Sequence, residues 1–91
     1  MDDQEQPIRD AVRQRDLGGA ATTALKLYGS ELFGYALWLA RTERHAEIGY
    51  WDAEERVRGE LEYFEWTVSV RAWGHSVVRE SVRTFEAKHP S

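Results

Sequence analysis

Apolar residues recur along this chain at helical rather than strand-like spacing. In the stretch 69–88, Val70, Trp73, Val77, Val78, Ser81, Val82 and Phe85 follow steps of three and four, the mark of a helix with one buried stripe. Ser69 is suited to cap its first turn. On the other side, Arg71, His75, Arg79 and Arg83 stand four apart and share a face. That basic row is either the solvated side of the helix, partly paired with Glu80 and Glu86, or a surface that binds anions or nucleic acid.

Earlier segments repeat the helical pattern. Pro7, Ile8, Ala11 and Val12 predict a first helix reaching about Arg15. Asp16 reads as an N-cap or turn before a stripe of Leu17, Ala21, Ala24, Leu25 and Tyr28. At Gly18-Gly19 a bend or short loop competes with continuous helix. Gly29-Ser30 reads as punctuation, a terminating glycine followed by a capping serine. The run from Leu32 to Ala40 leaves almost no polar face, which predicts the buried centre of the domain. After a polar link at 42–45, Ala46, Tyr50, Ala53, Val57 and Leu61 form the inward stripe of another helix. Ile48 and Trp51 fall off that stripe, and are either covered by the N-terminal helix or form a protein-contact patch. An aromatic loop, Tyr63-Phe64-Glu65-Trp66, leads into the last helix. The pattern predicts an all-α, compact three- to four-helix bundle over 7–88, with 1–6 a flexible N-terminus and 89–91 a tail.

Composition narrows the function classes. The 91 residues are 42% hydrophobic and include four tryptophans, four tyrosines and three phenylalanines, enough for one small domain with its own core. Without cysteine there is neither a disulfide framework nor a thiolate metal site. No apolar run reaches membrane-spanning length, and MDDQEQPIRD lacks the basic-then-apolar order of a signal peptide, so the expected location is cytoplasmic. A net charge of −4 argues against coating DNA by bulk electrostatics but leaves room for a local basic face. The acids gather elsewhere, at Asp2, Asp3 and Glu5 and between Glu43 and Glu65.

Nothing in the pattern points to catalysis. His45, His75 and His89 have no partner at metal-ligand spacing, and Glu54-Glu55 and Glu60/Glu62 lie on a polar helix with no apolar pocket to shift them. Gly18-Gly19 lacks the strand and lysine of a phosphate loop, and no serine or threonine has an evident base. The expectation is a non-enzyme with no metal and no cofactor.

The stretch WTVSVRAWGHSVVRESV resembles region 2 of the sigma-70 family, above all the compact extracytoplasmic-function sigma factors. Ser69, Val70, Arg71, Ala72, Trp73, Val77, Val78 and Arg79 fall in step with that family's third conserved helix, with Glu80 where asparagine is usual. Upstream, Tyr28, Gly29, Leu32, Tyr35, Ala36, Leu37 and Leu39 match its tyrosine-glycine, leucine-x-x-tyrosine-alanine-leucine helix. The similarity covers about residues 10 to 87.

The resemblance implies a fold of sigma region 2 type and a role in transcription initiation. It implies docking on the clamp helices of bacterial core RNA polymerase and opening of the −10 promoter element, with capture of an extruded base of the non-template strand. Phe64, Glu65, Trp66 and Thr67 would then line the base-capturing loop. Arg71, His75, Arg79 and Arg83 would face phosphates or bases. The polymerase face would comprise Glu47, Ile48, Trp51, Asp52 and Glu55. Here His45-Ala46-Glu47-Ile48 replaces the family's aspartate-alanine-glutamate-aspartate, and Trp51 replaces its glutamine. The −35-reading domain does not follow, which leaves either a piece of a longer sigma factor or a stand-alone domain. These departures keep a second function open: a sigma-like protein-interaction module, homodimer or adaptor, that does not bind DNA. An anti-sigma partner or self-association fits either reading.

Overall fold

In the computed structural model, which describes residues 4–89, the periodic segments form four α-helices: α1 (Gln6–Arg13), α2 (Leu17–Leu39), α3 (Glu43–Glu60) and α4 (Val70–Lys88). A short 3-10 turn, Leu61–Tyr63, extends α3. The all-α bundle expected from the sequence is the fold, and no strand occurs among the described residues.

Side-chain caps start three of the helices. Asp16 Oδ1 accepts the Gly19 N–H at 3.0 Å, Thr42 Oγ1 accepts that of His45 at 3.1 Å, and Ser69 Oγ accepts that of Ala72 at 3.0 Å. A Cβ at Gly19 would lie 2.2 Å from the Asp16 carboxylate, so glycine there permits the cap rather than breaking the helix. The helix α1 stops at Arg13, two residues short of expectation. Its end is a Schellman turn: Asp16 N–H donates to Ala11 O, Arg15 N–H donates to Val12 O, and Arg15 takes the left-handed position at φ 64°.

Two expectations about α2 fail. Gly29-Ser30 does not punctuate, because α2 runs unbroken through it, and Gly29 instead leaves room for the Tyr50 hydroxyl, 3.1 Å from where its Cβ would be. Nor is the 32–40 segment buried all round. Leu32 and Ala36 are buried, whereas Leu37 faces solvent and Trp38 is 79% exposed. Three packed helices cover only part of each neighbour's circumference, so apolar composition cannot by itself bury every side.

The core joins Ile8, Ala20, Ala21, Ala24, Tyr28, Leu32 and Ala36 to Ala46, Ala53, Val57 and Leu61, and to Val70, Val77, Val78 and Val82. Trp73 and Phe85, expected on the buried stripe, sit at its edge half-exposed, as does Tyr50. Glycines let the helices close in. A Cβ on Gly49 would meet Val82 Cγ2 at 2.6 Å, and one on Gly74 would meet Leu32 at 3.1 Å. The helix α3 runs antiparallel to α4, with Gly49 on Val82 and His45 on Glu86. By contrast, α2 runs parallel to α4, with Glu31 on Arg71, Leu32 on Gly74 and Tyr35 near His75.

The N-terminal stretch is more ordered than its polarity suggests. Glu5 is only 6% exposed and Gln6 already belongs to α1, so the folded body begins before Pro7, and positions 1–3 lie outside the described residues. The Glu5 carbonyl accepts the N–H groups of Ile8 and Arg9, while its carboxylate accepts the Tyr28 hydroxyl (2.6 Å) and the N–H groups of Val70 (2.8 Å) and Arg71 (3.1 Å). At the other end, His89 closes α4 through its N–H and stacks on Phe85 at 4.5 Å, while 90–91 lie outside the described residues.

Candidate functional site

Between the end of α3 and the start of α4 the chain leaves the helix through the 3-10 turn Leu61–Tyr63 and folds back as an aromatic turn. Phe64, half-buried, anchors it: its ring lies 5.0 Å from that of Trp73 and meets Trp66 edge-on at 4.8 Å. Thr67 N–H donates to the Glu65 carbonyl at 2.7 Å, tightening the turn and leaving the Glu65 and Thr67 side chains in solvent. The result is an open cleft of about 380 Å³ lined by Tyr63, Phe64 and Trp73 and by the polar groups of Glu60, Glu65 and Thr67.

Trp66 lies outside this cleft, on the α1 side of the turn. Its ring carries the Arg9 guanidinium at 5.2 Å from the centroid, a cation–π contact that ties the turn to α1. On that side Arg9, Val12, Arg13 and Trp66 line a second opening. Arg9, Arg13, Tyr63 and Trp73 were not among the site residues expected from the sequence. Only the fold brings α1 beside the turn, and Trp73 reads as core from its spacing alone.

The basic row of α4 is split. Arg71 donates from Nε to Glu31 Oε2 at 2.6 Å, and His75 lies between that same carboxylate (3.2 Å) and the Arg71 carbonyl (2.9 Å). The Arg71 hydrogen bond, with the charges of Arg71 and His75, holds Glu31 below the usual carboxylate range despite a smaller opposing effect of burial. Arg79 and Arg83 are exposed and have no ion-pair partner among the described residues. The carboxylates expected to pair with this row point to α3 instead. Glu80 meets Arg56 at 3.3 Å, and Glu86 meets His45 at 2.8 Å while accepting the Arg41 N–H. The Arg41 N–H and the His45 contact hold Glu86 below the usual range, against burial.

The expected partner face on α3 is likewise divided. Trp51 is 61% exposed, with Asp52 and Glu55 also in solvent. Ile48 and Glu47 are half-buried, and Ile48 leans toward α4, where it shares a shallow groove of about 180 Å³ with Asp52, Ser81, Thr84, Phe85 and Lys88. Among the described residues no cluster of histidines and carboxylates is arranged to hold a metal ion, and no helix is long and apolar enough to cross a membrane.

Comparison with known proteins matches the chain to no protein-family model, no curated protein and no solved structure.

Proposed function

We propose that the chain is a sigma region 2-like module of transcription initiation. In this reading it binds core RNA polymerase through α3 and an unpaired base of the −10 promoter strand through the aromatic turn, in the bacterial cytoplasm and without catalysis. The observation that carries the reading is the cleft at the start of α4. Tyr63, Phe64 and Trp73 present ring surface to an opening of about 380 Å³. An aromatic platform stacks an unpaired base for roughly 1–3 kcal/mol. Glu60 and Glu65 at the rim accept hydrogen bonds of the kind that exocyclic base amines donate. Arg79 and Arg83, about two and three helical turns beyond Trp73, supply charge for the backbone.

The test is a fluorescence-anisotropy titration of a labelled −10-like single strand at two salt concentrations, with an equal-length duplex as control. Expected are saturable single-strand binding, a loss of affinity with salt of slope about −0.7 per phosphate contacted, and weakening by Phe64→Ala and by Arg79→Ala with Arg83→Ala. Absence of single-strand binding at high micromolar protein, both alone and with core polymerase, rejects the reading.

One observation favours the protein-interaction alternative: Trp51, 61% exposed on a helix rich in carboxylates, is the side-chain type most enriched at interface centres. Sedimentation that detects a dimer lost in Trp51→Ala, together with no DNA binding, selects that reading, and a pull-down with core polymerase or an anti-sigma protein tests the same surface.

A further inference from the structure

The parallel packing of α2 on α4 builds a surface whose α2 side neither the aromatic turn nor the α3 face uses. Glu31 lies beside Arg71, Leu32 against Gly74 and Tyr35 against His75, so each turn of α2 adjoins the matching turn of α4. One turn further, this register carries Trp38 to the level of Arg79. At the end of α2 the Arg41 N–H reaches Glu86, which sets the Arg41 backbone beside the last turns of α4, where Arg83 stands.

Trp38 is the most exposed large apolar side chain among the described residues, at 79%. Its ring stacks on Tyr35 at 6.1 Å with 14° between the planes, and Tyr35 in turn lies 4.9 Å from the His75 ring. Tyr35 thus backs one face of the indole while most of the indole surface stays in water. On the α4 side of this face stand Arg71, paired with Glu31, and, one and two turns beyond His75, the exposed Arg79 and Arg83, on a chain whose net charge is −4. Leu37, the other exposed apolar residue at this end of α2, stands about 100° round the helix and does not enlarge the patch. A backed aromatic ring in water, with an exposed arginine at its level on the next helix, complements a base and its phosphate better than it complements an apolar protein surface.

We infer that Trp38, backed by Tyr35 and flanked by Arg79, is a second base-stacking platform for single-stranded nucleic acid, on the α2 side of α4 and separate from the cleft at Trp73. For its ligand class the inference rests on the single-strand reading above. The two platforms are reached together only by a strand long enough to pass over α4.

The experiment measures anisotropy of a labelled oligothymidylate of about 16 nucleotides, the upper end of the site size of one small single-strand-binding module. It compares the wild-type chain with Trp38→Ala, Trp38→Phe and Phe64→Ala, each checked for native helicity by circular dichroism. Trp38→Ala is expected to weaken binding roughly tenfold, within the range for one stacked base, and Trp38→Phe to retain most of the affinity. Loss in Phe64→Ala with none in Trp38→Ala overturns the second platform and leaves the cleft standing. The reverse pattern keeps Trp38 and removes the cleft. A wild-type chain that binds no single strand overturns both. Unchanged DNA binding with loss of self-association in Trp38→Ala would assign the surface to a second copy of the chain and overturn the inference.

Discussion

Val70 donates its backbone N–H to Glu5 Oε1 at 2.8 Å, across 65 positions of sequence. Through that contact the segment before α1 closes the N-terminus of α4. Tyr28, from the middle of α2, donates to the same carboxylate, so one side chain joins the first, second and last helices. A carboxylate there also meets the positive end of the helix dipole. The first turn of α4 is therefore already neutralised, and in the proposed reading a nucleic-acid backbone is met further along, at Arg79 and Arg83.

Replacing Glu5 with alanine leaves these buried donors unpaired and is expected to cost about 2–3 kcal/mol, read as a fall in the urea midpoint. Burial alone would raise the Glu5 pKa, but the hydrogen bonds from Tyr28, Val70 and Arg71 and the charge of Arg9 bring it below the ordinary carboxylate value. A folded pKa below the unfolded one contributes stability that is present above the unfolded value and is lost as pH falls through the folded one. Stability is therefore expected to drop on acidification below the usual carboxylate range, with Glu31 and Glu86 adding in the same direction. Glu5→Gln should flatten that acid limb. An unchanged limb would show that Glu5 is not bonded as described.

Two glycines should respond oppositely to alanine. At Gly49 the new methyl would press on Val82, including its Cα at 3.1 Å, and the variant is expected to lose about 1–3 kcal/mol by overpacking. At Gly34, also inside a helix, a Cβ meets nothing within 4 Å, and Gly34→Ala is expected to gain about 0.5–1 kcal/mol from helix propensity. Thermal unfolding of the pair checks how closely α3 and α4 approach.

Arg15 occupies the left-handed C′ position that glycine usually fills. Relief of that backbone cost, partly offset by the greater freedom of glycine in the unfolded chain, leads us to expect a gain of about 0.5–1 kcal/mol for Arg15→Gly. For a domain of this size that corresponds to a rise of a few degrees in Tm, about 4–8 °C per kcal/mol. A lowered Tm would mean that the Arg15 side chain makes a stabilising contact.

Glu31 holds Arg71 and His75 with one carboxylate and so masks half of the basic row. If that row tracks a phosphate backbone, Glu31→Gln should raise single-strand affinity several-fold and steepen the salt dependence by about 0.7 per phosphate gained. An unchanged slope would place Arg71 and His75 off the strand.

Much of the fold was legible because helix periodicity is local. Most of the stripes of α3 and α4 follow from spacing of three and four, and the Ser69 cap from its residue type, whereas spacing left the exposure of Trp51 open. Of the candidate site, the sequence located the aromatic turn and the row of α4, since both are contiguous or regularly spaced. Arg9 over Trp66, Glu31 against Arg71, and Tyr35 against His75 were not legible, because each depends on which faces of two distant segments meet.

The errors share that origin. Gly29-Ser30 looked like a break because the room for the Tyr50 hydroxyl is supplied by another helix, and Glu5 looked like part of a loose end because its three donors lie far along the chain. By itself the sequence determined that these segments are helical and most of the stripes that α3 and α4 bury, since these depend on neighbours within one or two turns. The tertiary structure alone decided that α2 runs parallel to α4, that half the basic row is masked, and that Trp38 stays in water. Those outcomes depend on packing between helices, where side-chain size and long-range hydrogen bonds rather than spacing select the partner.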